Sequence, residues 1–94
     1  MLTKTKNTKK IKFSVITVTK NSEKHLEKNI LSVQKQTYQN YEHIIIDGNS
    51  QDKTKKILRR HKSRLRIISE NDNGLYDAMN KGIKLASGDV ICIL

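Results

Sequence analysis

With a single cysteine, Cys92, the chain can form no internal disulfide, which suits a reducing compartment. Cys92 falls in an apolar run, and an inert core thiol is its expected role. No apolar stretch approaches the ~18 residues of a membrane-spanning helix, and the basic N-terminus leads into no signal-peptide core. The expected location is cytoplasmic, including peripheral contact with the inner face of a membrane. Proline and tryptophan are absent, and aromatic residues make up 4% of the chain. So few rings supply no stacking platform for single-stranded nucleic acid, and no nucleic-acid partner is expected. Neither Gly-x-Gly-x-x-Gly nor Gly-Lys-Ser/Thr occurs, which argues against a dinucleotide fingerprint or a P-loop. His25, His43 and His61 share no metal-ligand spacing, so structural roles are expected for them.

What the chain does have is charge, unevenly placed. The formal net charge is +10 over 94 residues. Residues 1–12 hold five lysines and residues 53–66 hold eight lysines or arginines, with no acid in either stretch. From Ile67 onward Glu70, Asp72, Asp77 and Asp89 outnumber Lys81 and Lys84. A basic helix and tail can meet nucleic acid or an anionic membrane, which keeps a non-enzymatic binding module open as an alternative. A solvated helix face and a disordered tail are the plainer explanation of the same residues.

A chain of this length makes one small domain, burying roughly 60–65% of its unfolded surface. Residues 1–10 read as a disordered basic tail and residues 11–94 as the folded unit. Ile11 to Thr19 is rich in β-branched residues and predicts a first strand. Asn21 and Ser22 are cap candidates for a helix whose buried stripe is Leu26, Ile30 and Val33. Ile44-Ile45-Ile46, closed by Asp47-Gly48, predicts a strand buried on both faces, as in a parallel sheet. Ser50 or Asp52 can then cap a helix over about Lys53 to Lys62, with Ile57 and Leu58 inward. A short strand, Leu65 to Ser69, precedes the polar turn at Glu70 to Gly74. Leu75, Met79, Ile83 and Ala86 mark the expected apolar face of a third helix, and Asp89 to Leu94 predicts a fourth strand.

The order βαβαβαβ with right-handed crossovers predicts a three-layer α/β/α domain, a parallel Rossmann-like sheet in the order 3-2-1-4. Its crevice would be lined by Thr17 to Asn21, Asp47 to Ser50 and the turn from Asn71 to Asp77. For Asp47 and Ser50 the alternative is a polar turn, and for Asp77 a carboxylate at the first helical turn. A fourth strand ending in Cys-Ile-Leu predicts the first half of a larger domain, truncated after that strand.

These elements carry a resemblance. Thr17-Val-Thr-Lys-Asn21, Gln36-Thr-Tyr38, Ile44 to Thr54, and Glu70 to Ile83 stand in the order and spacing of family 2 glycosyltransferases. The chain resembles the N-terminal, donor-binding half of these inverting enzymes of the GT-A (nucleotide-diphospho-sugar transferase) fold, above all the branch building bacterial surface polysaccharides. The resemblance implies transfer of a sugar from a nucleotide-diphosphate sugar, a UDP-sugar first of all, to a glycan or lipid-linked acceptor. It implies that Asp47 accepts the ring N–H of a uracil. Thr17, Thr19 and Asn21 would border base and ribose beside Ser50, and Asp77 and Asn80 would approach from the other side. Three departures stand out: Lys20 replaces a frequent aromatic, Met79 replaces a frequent arginine, and the metal motif belongs beyond Leu94. A divalent cation, Mg²⁺ or Mn²⁺, is thus expected for the complete enzyme with its ligands outside this chain, as is the general base. No catalytic residue is expected within these residues, and the chain alone is expected to be inactive.

Overall fold

Ile44, Ile45 and Ile46 are each fully buried, because the strand that carries them lies inside a sheet covered on both faces. The structure is a computed structural model and describes residues 10–94. The tail expected over residues 1–10 falls outside them, save the exposed Lys10. Four strands, β1 (Phe13–Thr19), β2 (Tyr41–Asp47), β3 (Arg66–Ser69) and β4 (Val90–Ile93), form one parallel sheet in the order β3-β2-β1-β4. The intervening helices are α1 (Leu26–Gln34), α2 (Thr54–Arg60) and α3 (Leu75–Leu85), with a 3-10 turn at Lys62–Arg64.

The sheet separates two cores. Odd-numbered β2 positions meet α1 and α2, where Ile45 packs with Leu26, Ile30, Ile57 and Leu58. Even-numbered positions meet α3, where Ile44 and Ile46 join Ile16 and Ala78. The stripes expected on α1 and α2 are those observed; Leu26, Ile30, Val33, Ile57 and Leu58 are all buried.

The stripe on α3 differs. Ala78 and Gly82 are the buried positions, while Leu75 and Ile83 are 59% and 43% exposed. The cause is close packing: a Cβ at Gly82 would lie 2.6 Å from Ile16 Cγ2. Small residues let the helix approach the sheet, and the large apolar ones are turned outward. Gly82→Ala is therefore expected to destabilise the chain by about 1–2 kcal/mol in chemical denaturation, although alanine is the better helix former. A stabilised variant would show that Ile16 yields freely.

The predicted caps also resolve differently. No side chain caps α1 or α2 at the residue before its first turn. Asp52 does accept the Thr54 N–H at 2.9 Å, while Ser50 turns back to Asp47 and Asn21 turns to Gln51. Ser22 contributes its backbone, its carbonyl accepting the His25 and Leu26 N–H groups.

Two polar groups, the half-buried Glu42 and the buried His43, stitch the layers. Glu42 accepts the Ser14 hydroxyl at 2.6 Å, and the Ser87 N–H and hydroxyl at 2.6 and 3.0 Å. Burial opposes its charge, but these bonds and nearby Lys12 outweigh it and hold its carboxyl below the ordinary range. On the other face His43 Nε2 lies 2.8 Å from the Thr17 hydroxyl, which lies 3.2 Å from Asn29 Oδ1. His43 Nδ1 has no partner among the described residues. A bare ring nitrogen costs less there than an unpaired N–H, so the chain runs from Nε2–H to Thr17 and from the Thr17 O–H to Asn29. His61, at the end of α2, pairs with Glu27 of α1 at 2.8 Å.

Candidate functional site

In register across the sheet, Thr19 pairs with Asp47 and Asp47 with Ser69, so three strands end level. Beyond them the backbone continues the lacing: the Gly48 N–H donates to the Thr19 carbonyl and the Glu70 N–H to the Asp47 carbonyl. This is the crevice edge at which open α/β sheets bind ligands.

Asp47 organises that edge from beneath. It is fully buried. Oδ2 accepts the Ser50 N–H at 3.0 Å and the Ser69 hydroxyl at 2.7 Å, and Oδ1 accepts the Ser50 hydroxyl at 2.5 Å. Ser50 Oγ in turn accepts the Asn21 N–H at 2.8 Å. Asn21 and Asn49 both take left-handed backbone, φ 49° and 61°, which asparagine tolerates better than most residues. Asp47, Ser50 and Asn21 thus form one cluster. Its carboxylate faces its own chain, and a nucleobase could reach it only if Ser50 or Ser69 turned away.

Above this cluster Val18, Thr19, Lys20, Asp72, Gly74 and Leu75 line a cavity of about 290 Å³. Gly48 makes room for it: a Cβ there would stand 2.9 Å from Asp72 Oδ2 and 3.4 Å from Lys20 Cδ. Gly74, at φ 102°, starts α3 with a backbone that other residues rarely adopt. The Asp72 carboxylate fixes the turn by accepting the Gly74 N–H at 3.0 Å. Thr19 is 4% exposed, and its hydroxyl has no hydrogen-bond partner among the described residues. A buried hydroxyl without a partner costs about 1–3 kcal/mol, and this one is closed off from solvent although Thr19 borders the cavity.

The other predicted site residues lie elsewhere. Thr17 is on the α1 face, its hydroxyl committed to His43 and Asn29, so it does not reach the crevice. Strand alternation and strand position explain this: Thr17 and Thr19 share a face, but only Thr19 is at the strand end. Asp77 accepts the Asn73 N–H at 2.9 Å and stands 3.7 Å from Lys81 Nζ, the role of a carboxylate in a first helical turn. Asn80 is exposed and does not line the cavity. Lys81 is more than a solvated side chain. It bonds Glu70 at 2.9 Å and the Asn71 carbonyl at 2.9 Å, and these contacts, Glu70 first, raise its pKa despite a desolvation cost.

Lys20 and Asp72 line the cavity and fall within the predicted loop stretches, Thr17 to Asn21 and Asn71 to Asp77, although neither is among the individually predicted binding residues. A larger groove of about 430 Å³, bordered by Phe13, Val33, Tyr38 and Leu94, carries no charged side chain to meet a phosphate. Cys92 borders that groove, half-buried, rather than sitting in a closed core. Among the described residues no three His, Cys, Asp or Glu side chains gather to hold a metal ion.

An open parallel α/β sheet with a cavity at its strand ends is the arrangement in which α/β domains bind ligands. Comparison narrows the class. Residues 14–94 match the family described as Glycosyl transferase family 2, and the chain belongs to that family. Among relatives, an uncharacterized glycosyltransferase of Mycobacterium tuberculosis is 42% identical over 83 residues, covering 86% of this chain and 32% of the relative. The Escherichia coli UDP-Glc:alpha-D-GlcNAc-diphosphoundecaprenol beta-1,3-glucosyltransferase WfgD is 37% identical, with 86% and 33% covered. This chain thus spans about a third of the length of such relatives.

Solved structures agree on the fold. Staphylococcus aureus TarS 1–349 in complex with UDP-GlcNAc superposes with a TM-score of 0.78 at 29% identity, covering 89% of this chain and 26% of TarS. The Pyrobaculum calidifontis mannosyltransferase PcManGT, in complex with GDP-Man and Mn²⁺, gives 0.81 at 24% identity, covering 89% and 27%. The fold is that of the GT-A glycosyltransferases.

Proposed function

We propose that this chain is the donor-nucleotide half of a sugar transferase acting in glycan assembly on the cytoplasmic side of a membrane. The observation that carries the reading is the strand-end cavity itself, where Lys20 and Asp72 meet over Gly48. Lys20, whose stem passes over Gly48, supplies a cation for the diphosphate, and Asp72 offers an acceptor to sugar hydroxyls. Asp47 and Ser50 act beneath, holding the loops that place these groups.

The donor is a UDP-sugar on this reading, supported by family membership and by TarS, whose structure holds UDP-GlcNAc. The acceptor is lipid-linked, supported by WfgD, whose name specifies a diphosphoundecaprenol substrate. Transfer itself also needs the leaving diphosphate neutralised and the acceptor hydroxyl deprotonated. A divalent cation and a carboxylate base contributed from outside these residues complete the chemistry.

The test is calorimetric titration of the chain with UDP, with and without Mn²⁺, against Lys20→Gln. The variant keeps most of the side chain's length and removes its charge. UDP affinity is expected to fall about fivefold to tenfold, while unfolding free energy holds because Lys20 is exposed. Equal UDP binding by both proteins, or none by a folded chain, would overturn the reading.

A further inference from the structure

We infer that the outer face of α2 and the 3-10 turn behind it form a docking surface for an anionic lipid bilayer, an inference resting on the lipid-linked acceptor proposed above. Thr54, Ile57 and Leu58 turn inward, and the rest of the α2 circumference is Lys53, Lys55, Lys56, Arg59 and Arg60. The 3-10 turn adds Lys62 and Arg64, and the edge strand β3 opens with Arg66.

Some of these cations are already matched. Arg60 stands 3.9 Å from Glu27, Arg66 stands 3.7 Å from Glu42, and Lys55 donates to Asn49 Oδ1 at 2.5 Å. Lys53, Lys56, Arg59, Lys62 and Arg64 have no carboxylate within ion-pair reach among the described residues. Five uncompensated cations on so short a segment repel one another, an arrangement that favours an external counter-charge.

The sheet also sorts the charge. Residues 53–65, on the α1 and α2 side, carry seven bases and no acid, whereas Arg66 turns to Glu42 and the Leu85 carbonyl on the α3 face. Residues 67–94, which include α3, carry four acids against two bases. A planar anionic surface would therefore attract one side of the molecule and repel the other. Lys53, Lys56 and Arg60 border a groove shared with Glu23 and Glu27, and residues 53–66 hold no Phe, Tyr, Trp, asparagine or glutamine to stack on or pair with a base. A bilayer asks only for charge.

The test is co-sedimentation of the full chain with vesicles of phosphatidylcholine, with or without phosphatidylglycerol, at low and high salt. Binding is expected only to the anionic vesicles and is expected to fall with salt. Lys56→Gln, Arg59→Gln, Lys62→Gln and Arg64→Gln combined should weaken it by about 600-fold, at about fivefold per charge. Far-UV circular dichroism and UDP titration of that variant show whether fold and donor site survive. A variant that binds UDP as the parent does but has lost the vesicles supports the surface. Vesicle binding that persists when the parent binds no UDP still supports it, and places the failure in the donor reading.

A second variant, Lys4, Lys6, Lys9 and Lys10 to Gln, separates the N-terminal lysines. Full loss of vesicle binding in this variant, with the α2 face intact, would overturn the inference. So would unchanged vesicle binding in the α2 variant, or displacement from vesicles by duplex DNA at equal phosphate.

Discussion

Asp47→Ala is expected to lose about 3–5 kcal/mol of unfolding free energy, enough to bring a domain of this size close to its midpoint at room temperature. Three donors turn on that carboxylate: the Ser50 N–H, the Ser50 hydroxyl and the Ser69 hydroxyl. The two Ser50 donors are buried with it and are left unpaired, whereas Ser69 is exposed and its hydroxyl can turn to water. Asp47→Asn separates acceptor loss from shape. Its oxygen keeps one side of the network while its amide opposes the Ser50 N–H, and about half the loss is expected. Urea denaturation of the three proteins decides it. A cost below about 1 kcal/mol for the alanine variant would mean that the loops are held by their backbone lacing alone.

The second expected result is acid lability above the carboxylate range. Burial holds the His43 pKa down to about 4 in the folded chain. An unfolded histidine titrates near ~6.5, so between these values the unfolded state takes up a proton that the folded state refuses. Stability is whole above pH ~6.5 and falls as pH drops toward 4, by about 3 kcal/mol for this group. Glu27, Glu42 and Asp52 have lowered pKa values, so their stabilisation is lost only at lower pH, as each is protonated. His43→Gln retains an N–H for Thr17 and does not titrate. Its denaturation midpoint should be flat between pH 6.5 and about 5, where the parent declines. A parent without that decline would show that His43 is protonated in the fold.

Much of the architecture was legible because it rests on patterns the chain repeats. Three isoleucines closed by Asp-Gly placed β2 at the centre of a parallel sheet, and the alternation of elements gave the order of all four strands. The α1 and α2 faces followed from side-chain spacing. On α3 two apolar stripes shared the same period, and size favoured the wrong one. Which stripe faces the sheet depends on how near the helix comes, and that is decided by Gly82 against Ile16, a contact between distant positions.

The site was legible as a region and less so as residues. Asp47, Ser50 and Asn21 gather as expected, but toward one another. Thr17 was misplaced because two threonines in one loop motif look alike until strand register separates them. Lys20 and Asp72 become neighbours only across Gly48, where the missing side chain lets two loops approach.

The lacing at the strand ends has a consequence for recognition. Because Gly48 is tied to Thr19 and Glu70 to Asp47, the floor of the cavity is ordered during folding. A ligand that settles on it meets preorganised backbone and loses little further loop entropy. On the donor-site reading proposed above, discrimination among sugars would fall to the side chains at the rim, Lys20, Asp72 and the exposed Leu75, with the floor unaltered.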